Sequence, residues 1–104
     1  MITIIARLKI KPGNEAEAEK AATEMAAAVE ANEPGALAYL MHRSQRDPTD
    51  ITVFEVYADT EAFSAHGQTA HMATLQSKLA QLADLSAVKI ERLERVAGFM
   101  RPPT

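Results

Sequence analysis

The sequence predicts an α+β fold in which four antiparallel strands form one sheet and helices cover one of its faces. Three runs of residues alternate between apolar and other side chains, and a fourth, less regular run lies near the C-terminus. Two helical patterns, each preceded by residues that cap helices, separate the first strand from the second and the third from the fourth. The resulting order is β-α-β-β-α-β, which is the ferredoxin-like arrangement.

The first strand is predicted at Ile2–Lys11, where apolar side chains occupy every second position on one face. The turn Pro12-Gly13 follows it. A helix then begins after Asn14, which can cap it and has the spacing of a capping box with Glu17. The helix is expected to end near Ala31, because a proline and a glycine follow shortly after.

The second and third strands are predicted at Ala36–Ser44 and Ile51–Tyr57, and both are largely apolar on both faces. Glu55 is the exception, because an ionisable group in an apolar strand needs a partner when it is buried. Arg43, on the neighbouring strand, is the expected partner. We interpret the two as a structural ion pair, and a catalytic carboxylate at Glu55 is the alternative.

The last strand is predicted within Leu85–Val96. Val88 and Ile90 are in phase along it, but Leu93 is out of phase with them. This slip predicts a bulge or bend near Glu91-Arg92.

The sheet is expected to have one face that its own helices do not cover. Two helices cover only one face of such a sheet, and an open apolar face is uncommon on a monomer. A second copy of the chain is the simplest cover, because twofold dimers are the commonest oligomers. We therefore predict a homodimer built sheet to sheet, in which the segment Leu93–Met100 reaches the partner.

The connection between the third and the last strand holds two of the three histidines, His66 and His71. Asp59 can cap a short helix at its start. Gly67 then interrupts the helical pattern, and Thr69 can cap a second, longer helix. We expect a bend between the two helices that is flanked by the two imidazoles.

The two histidines do not have the pattern of a metal site. Five residues apart on one helix, they would point about 140° apart. A helical zinc pair prefers the spacing of the HExxH motif, and the chain has no cysteine to complete a thiolate site. Because imidazoles titrate near neutral pH, His66 and His71 are instead candidate bases. The alternative is that both are surface or capping residues.

The composition limits the class of protein. With 104 residues, the chain is expected to form one domain, residues 1–104, with a tail from about residue 97. A net charge of −3 and a pI near 5.6 argue against nucleic acid as a partner. The sequence shows neither a signal peptide nor an apolar run of the roughly 20 residues that a membrane span needs. The lack of cysteine permits a reducing compartment, and we predict a cytoplasmic location.

Four segments resemble the antibiotic biosynthesis monooxygenase (ABM) domain, a branch of the dimeric α+β barrel proteins. They are EPGALAYLMHR (33–43), DP (47–48), FEVYADTEAFSAH (54–66) and TAH (69–71). The resemblance covers most of the chain and is specific for the family but not for the reaction. Members include cofactor-free oxygenases of quinols and anthrones, haem-degrading enzymes and an enzyme that acts on a signalling phospho-sugar.

The departures from the family pattern favour one branch. Haem-degrading members use a tryptophan, and this chain has none, so haem cleavage is not expected. Anthrone oxygenases likewise use a tryptophan near the bend, at about the place of His66. Many members have Thr-Pro-His-Phe where this chain has Thr69-Ala70-His71-Met72. The chain is most similar to the smaller quinol monooxygenases.

The resemblance implies a homodimeric monooxygenase that needs no cofactor and oxidises a small, electron-rich phenol or hydroquinone with O2. A base would remove a phenolic proton, and the anion would then pass an electron to O2. On this interpretation His66 and His71 are the catalytic residues, as base or anion stabiliser. The other candidate substrate-binding residues are four that orient the ring (Tyr39, Arg43, Glu55, Tyr57) and four that line the cavity (Phe54, Phe63, Met72, Leu75).

Three alternatives remain open at the level of sequence. Phe63, Met72 and Leu75 can equally be plain core residues. The dimer can bind an apolar small molecule without converting it, or serve as a structural dimer. An isomerase or lyase acting on a small carbonyl compound would use the same histidines as proton carriers and would consume no oxygen.

Overall fold

The computed structural model describes residues 1–102. Its strands and helices are β1 (Ile2–Lys9), α1 (Glu15–Asn32), β2 (Ala36–Arg43), β3 (Asp50–Tyr57), α2 (Thr60–His66), α3 (Ala70–Leu82) and β4 (Lys89–Leu93), with a short 3₁₀ helix at Leu85–Ala87. The strands form one sheet in the order β2-β3-β1-β4, and all neighbours are antiparallel. The predicted ferredoxin-like α+β fold is confirmed. Within residues 1–102, no helix is long and apolar enough to cross a membrane. The end of the predicted tail, residues 103–104, lies outside the described residues.

The helices cover one face of the sheet. The buried stripe of α1 consists of Ala18, Ala21, Met25 and Val29, and it packs against α3 through Leu75. Alanines at two of these positions allow α1 to lie close to its neighbours. Each large apolar side chain buried in this layer stabilises the fold by about 1.5–3 kcal/mol.

Two of the predicted helix caps are confirmed and one is wrong. The Asp59 side chain accepts a hydrogen bond from the backbone N–H of Ala62, and Thr69 caps α3 in the same way. Asn14 makes no side-chain capping bond, so the capping box with Glu17 does not form. Instead the Glu15 carboxylate accepts a hydrogen bond from the Gly13 N–H, 3.0 Å away, because the preceding turn brings the two together.

The predicted bulge near Glu91-Arg92 is wrong. β4 pairs with β1 in unbroken register from Arg7↔Lys89 to Thr3↔Leu93. Leu93 is out of phase with Ile90 because it lies on the other face of the sheet, and not because the strand is bulged. The register shift that does occur lies in β2, between Ala36 and Ala38.

Both terminal strands are shorter than predicted. β1 ends at Lys9, and Ile10 forms only an isolated bridge to Ala83 after α3. The first residues of the predicted last strand form the 3₁₀ helix at Leu85–Ala87, where the Asp84 side chain accepts a hydrogen bond from the Ser86 N–H.

The face of the sheet turned away from the helices is apolar at its centre. Ile5, Phe54 and Leu40 pair across β1, β3 and β2 and form a row on this face. Leu93 lies on the same face, beside Thr3. Leu40 is 53% exposed, so this surface has the apolar character predicted for a dimer interface.

Candidate active site

A cavity of about 650 Å³ lies between the helix layer and the sheet. Most of its wall is apolar, and the polar side chains in it are few. The wall consists of sheet residues (Ile4, Ala6, Leu8, Tyr39, Met41, Val53, Glu55, Ile90), of residues from the helical side (Phe63, Ser64, His66, Gly67, Met72, Leu75, Gln76, Leu79, Leu85) and of Val88, directly before β4. Such a cavity can hold a small aromatic molecule and orient it through a few polar contacts.

His66 contributes a buried imidazole to this wall. It is the last residue of α2, and it is 3% exposed. Its Nδ1 lies 2.9 Å and 3.1 Å from the two carboxylate oxygens of Glu33. Its Nε2 is on the side of the ring towards Glu55, another wall residue, and is 3.7 Å from that carboxylate. One nitrogen is therefore held by an acid, while the other has no carboxylate within hydrogen-bonding distance.

His71 meets the same carboxylate from the other side. It is the second residue of α3, and its Nε2 lies 2.5 Å from Glu33 Oε2. The bend between α2 and α3 brings the two rings together, because the N–H and the hydroxyl of Thr69 both donate to the His66 carbonyl. His71 does not line the cavity. Its side chain is 18% exposed and lies in a small cleft between α1 and α3.

Glu33 is placed by the turn between α1 and β2. Its N–H donates to the Val29 carbonyl at the end of α1, and its own carbonyl accepts from the Ala36 N–H. The residue is 8% exposed, so its carboxylate is buried together with the two imidazoles. Gly35 allows the turn to approach α2 closely, since a Cβ at this position would lie 2.6 Å from the Cβ of Ala62.

Glu55 in the cavity wall and Tyr57 behind it form a second buried pair. The Tyr57 hydroxyl donates to Glu55 Oε1 at 2.5 Å. Burial raises the pKa of the Glu55 carboxyl, and the charge of Glu33 adds to this effect, while the bond from Tyr57 and the charge of His66 oppose it. Two hydrogen-bonded groups thus lie side by side, Tyr57–Glu55 and His66–Glu33–His71, and 3.7 Å separates Glu55 from His66 Nε2.

Tyr39 is the one tyrosine that lines the cavity. It lies directly opposite Glu55 across the β2–β3 pair, and its ring centroid is 5.7 Å from that of His66. Burial raises the pKa of Tyr39, and the charges of Glu55 and Glu33 act in the same direction. Its hydroxyl therefore stays protonated at neutral pH and can donate a hydrogen bond to a molecule in the cavity.

The cavity brings together six of the residues singled out from the sequence: Tyr39, Glu55, Phe63, His66, Met72 and Leu75. Tyr57 is fully buried behind Glu55, and its ring contacts those of His66 and Phe63. It holds Glu55 and does not reach the cavity.

Arg43 and Phe54 lie away from the cavity. The expected Arg43–Glu55 ion pair is wrong, because Arg43 pairs with Glu19 of α1 instead. Phe54 points to the other face of the sheet, since strand residues alternate between faces and its neighbour Glu55 points to the cavity. The expectation that Phe54 lines the cavity is therefore also wrong.

Sequence reasoning did not identify Glu33 as a site residue. It is 33 positions from His66 and 38 from His71, so only tertiary packing brings the three together. The local signal was its place directly before Pro34-Gly35, where a charged residue ends an alanine-rich helix. Within residues 1–102, no group of three or more acidic or imidazole side chains is arranged to hold a metal ion.

A second cavity, of about 320 Å³, lies beside α1 and β2. Its polar lining includes His42 and Arg43, which are exposed, and Glu19, which is partly buried, and it contains no fully buried acid or imidazole. It offers no group that is held in place as a base, so the larger cavity is the better candidate for chemistry.

Comparison with known proteins places the chain among ABM proteins. The family model for antibiotic biosynthesis monooxygenases matches residues 1–78. A structure from Caulobacter crescentus CB15, assigned to these monooxygenases, is 35% identical and has a TM-score of 0.85, with 92% of this chain and 90% of that chain covered. No curated protein matches the sequence significantly.

Other solved structures share the fold. A protein from Pseudomonas aeruginosa is 27% identical, with a TM-score of 0.83 over 92% of this chain and 94% of its own. A protein of unknown function from Bacteroides thetaiotaomicron is 26% identical, with a TM-score of 0.80 over 90% of this chain and 96% of its own.

Proposed function

The chain belongs to the antibiotic biosynthesis monooxygenase family, and we propose that it is a cofactor-independent monooxygenase that oxidises a small, electron-rich phenol or hydroquinone with O2. The observation that carries this proposal is the buried imidazole of His66, which lines an apolar cavity and is held from behind by Glu33. We further propose that the protein acts as a homodimer in the cytoplasm.

His66 is the base in this proposal. Its Nδ1–H donates to the Glu33 carboxylate, so the lone pair of the neutral ring is at Nε2, on the side of the wall residue Glu55. Nε2 takes the proton from the substrate hydroxyl and leaves a phenolate. A base placed in this way typically accelerates a reaction by about 10²–10⁴-fold.

Tyr39 and the apolar wall favour the anion that forms. The Tyr39 hydroxyl donates to the phenolate oxygen, and Phe63 and Met72 exclude water from the flat ring. Hydrogen bonds are stronger in such a site than in water, because the surroundings have a lower dielectric constant.

The oxidation then needs only the substrate and O2. The phenolate passes one electron to O2, and the phenoxyl radical and superoxide combine to form a carbon–oxygen bond at a ring carbon that carries hydrogen. The resulting peroxide loses water when its O–O bond breaks and that carbon loses its proton. A phenol and O2 thus give a quinone and H2O, with one oxygen atom of O2 in each product.

The proposed dimer forms through the open face of the sheet. Ile5, Leu40 and Phe54 form an apolar row there, and Leu40 is the most exposed of the three. The C-terminal segment adds Val96, Phe99 and Met100, which are exposed in the isolated chain and available to a partner.

Oxygen uptake tests the proposal. The purified protein is supplied with a panel of hydroquinones and anthrones, with a chelator present and no added flavin. We expect enzyme-dependent uptake with at least one of them and a loss of about 10²–10⁴-fold in His66→Ala. The matched control is His42→Ala, because His42 is exposed and its ring only contacts the Thr52 carbonyl.

The outcomes separate the candidate functions. A His66→Ala variant that keeps the wild-type rate would show that His66 is not the base. If the protein binds members of the panel but consumes no oxygen with any of them, the protein is better described as a binding module.

A further inference from the structure

The buried carboxylate of Glu33 lies between two imidazoles. Both oxygens are within 3.1 Å of His66 Nδ1, and Oε2 is also 2.5 Å from His71 Nε2. An ionised carboxylate only accepts hydrogen bonds, so each nitrogen that faces it has to carry a proton. The ring hydrogen of neutral His66 is therefore expected at Nδ1, and that of neutral His71 at Nε2.

For His66, the position of this hydrogen decides which ring nitrogen has the free lone pair and can act as a base. A neutral imidazole carries one proton, and Glu33 holds that proton at Nδ1. If Glu33 were absent, Glu55 would be the acid nearest to the ring, 3.7 Å from Nε2. It would draw the proton to Nε2, and His66 would then present a donor to the cavity instead of a base.

His71 contacts Glu33 and not the cavity wall. Its short contact holds Oε2 of Glu33, and its partly exposed ring links the buried carboxylate to the surface. A residue in this place acts on the substrate only through Glu33 and His66.

We propose that Glu33 is a positioning residue that fixes the tautomer of His66, and that His71 supports it by holding Glu33. The proposal rests on the proposed function for its kinetic consequence, but the tautomer itself is a property of the protein without substrate. The two can therefore be tested separately.

Nitrogen-15 NMR of the histidine rings provides the first test. In the wild type, at a pH where both rings are neutral, we expect His66 to be protonated at Nδ1 and His71 at Nε2. In Glu33→Ala we expect His66 to change to the Nε2–H tautomer. In Glu33→Gln, an amide NH2 that only donates replaces one carboxylate oxygen, so a ring nitrogen that faces it has to accept, and we expect at least one ring to change its tautomer.

The matched control is Glu30→Ala, which removes an exposed acid from the last turn of α1, three residues before Glu33. The tautomers should remain as in the wild type, and an unchanged backbone amide spectrum identifies the variants that keep the fold. A wild-type His66 protonated at Nε2 would overturn the proposal, and so would a Glu33→Ala variant that folds and keeps the Nδ1–H tautomer.

Kinetics with a substrate from the oxygen-uptake panel provide the second test. Glu33→Ala should lower kcat about as much as His66→Ala, on the order of 10²–10⁴-fold, with little change in KM. Glu33→Asp, which keeps an accepting carboxylate, should recover part of the rate. His71→Ala should lower kcat by about tenfold or less, as expected for one supporting hydrogen bond.

The pattern of results identifies which proposal fails. If the NMR result holds but no panel compound is oxidised, the proposed function fails while the positioning role stands. If oxidation requires His66 but Glu33→Ala keeps the wild-type kcat, the positioning role is wrong. A loss in His71→Ala as large as in His66→Ala would also contradict it, because His71 would then act as more than a support.

Discussion

The charge of Glu55 depends on its burial. The residue is 7% exposed, and burial raises the pKa of its carboxyl above the ordinary value of 4.5. The raised pKa means that the folded state binds the proton more tightly than the unfolded state. This contribution to stability is complete below the unfolded pKa and is lost as the pH rises through the folded pKa.

Glu55→Gln should remove this pH dependence, because glutamine resembles the neutral acid. We expect the free energy of unfolding of the variant, relative to the wild type, to increase as the pH rises from about 4.5 towards neutrality. Urea unfolding at several pH values measures this difference. Glu61→Gln, which changes an exposed acid at the start of α2, is the control. A difference that stays constant or falls with pH would contradict the prediction.

Tyr57→Phe should destabilise the fold by about 1–3 kcal/mol, because it removes the hydrogen bond to a buried carboxylate. The control is Tyr39→Phe, whose hydroxyl lines the cavity, and it should change the stability by about 0.5 kcal/mol or less. Urea unfolding at neutral pH measures both. Equal effects of the two substitutions would show that the buried bond adds no stability.

Two of the three helix caps, which act through local chemistry, were predicted correctly, whereas the contacts that packing creates were not. Asp59 and Thr69 were identified as caps because a cap needs only its own side chain and the next three residues. Which residue of β2 lies opposite Glu55 was not predictable, because it depends on strand register. Tyr39 lies opposite Glu55, whereas Arg43 lies opposite Ile51, which comes four residues before Glu55 in β3.

The contact between the turn after α1 and helix α2 sets the geometry of the site. Gly35 lies against Ala62, and the Gly35 carbonyl accepts a hydrogen bond from the Ala58 N–H at 2.8 Å. Glu33 is in this turn and His66 is in α2, so their separation depends on how closely the two elements approach.

Gly35→Ala should therefore loosen the site. The added Cβ would lie 2.6 Å from the Ala62 Cβ, so the turn and α2 must move apart, at about 1–3 kcal/mol of stability. Gly67→Ala is the matched control, because its Cβ would meet only an ordinary contact at 3.7 Å and its backbone is already helical. Thermal or urea unfolding measures both. Equal stability of the two variants would contradict the account of the turn.

At the level of whole elements, the alternation of apolar and polar residues and the capping residues predicted the order of strands and helices. Both signals depend only on residues that are close together in the sequence. The phase of Leu93 was misinterpreted as a bulge, because a sequence does not show which face a residue occupies. His66 and His71 both contact Glu33 because the bend at 67–69 brings α2 and α3 together and α1 places Glu33 beside them. The sequence of α2 or of α3 alone does not determine these contacts.

The molecule as a whole has an apolar surface on the side of the sheet opposite the cavity. Leu40 and Leu93 lie on this face and are exposed, while Ile5 and Phe54 are partly buried between them. A surface of this kind is typical of a protein interface.

Leu40→Asp should disrupt the proposed dimer, because it places a charge on the most exposed residue of the apolar row. We expect light scattering after size exclusion to give a dimer for the wild type at micromolar concentration and a monomer for the variant. Thr74→Asp, on the exposed side of α3, should remain dimeric. A wild-type protein that is monomeric under these conditions would refute the proposed assembly.

The central claim is that the cavity beside His66 transfers one atom of O2 to a phenolic ring with no cofactor. Oxidation of a panel substrate under ¹⁸O2, with chelator and without flavin, tests it most directly. We predict one ¹⁸O atom in the quinone product, the other in water, and loss of labelled product in His66→Ala. Quinone without label, or hydrogen peroxide formed in its place, would contradict the claim.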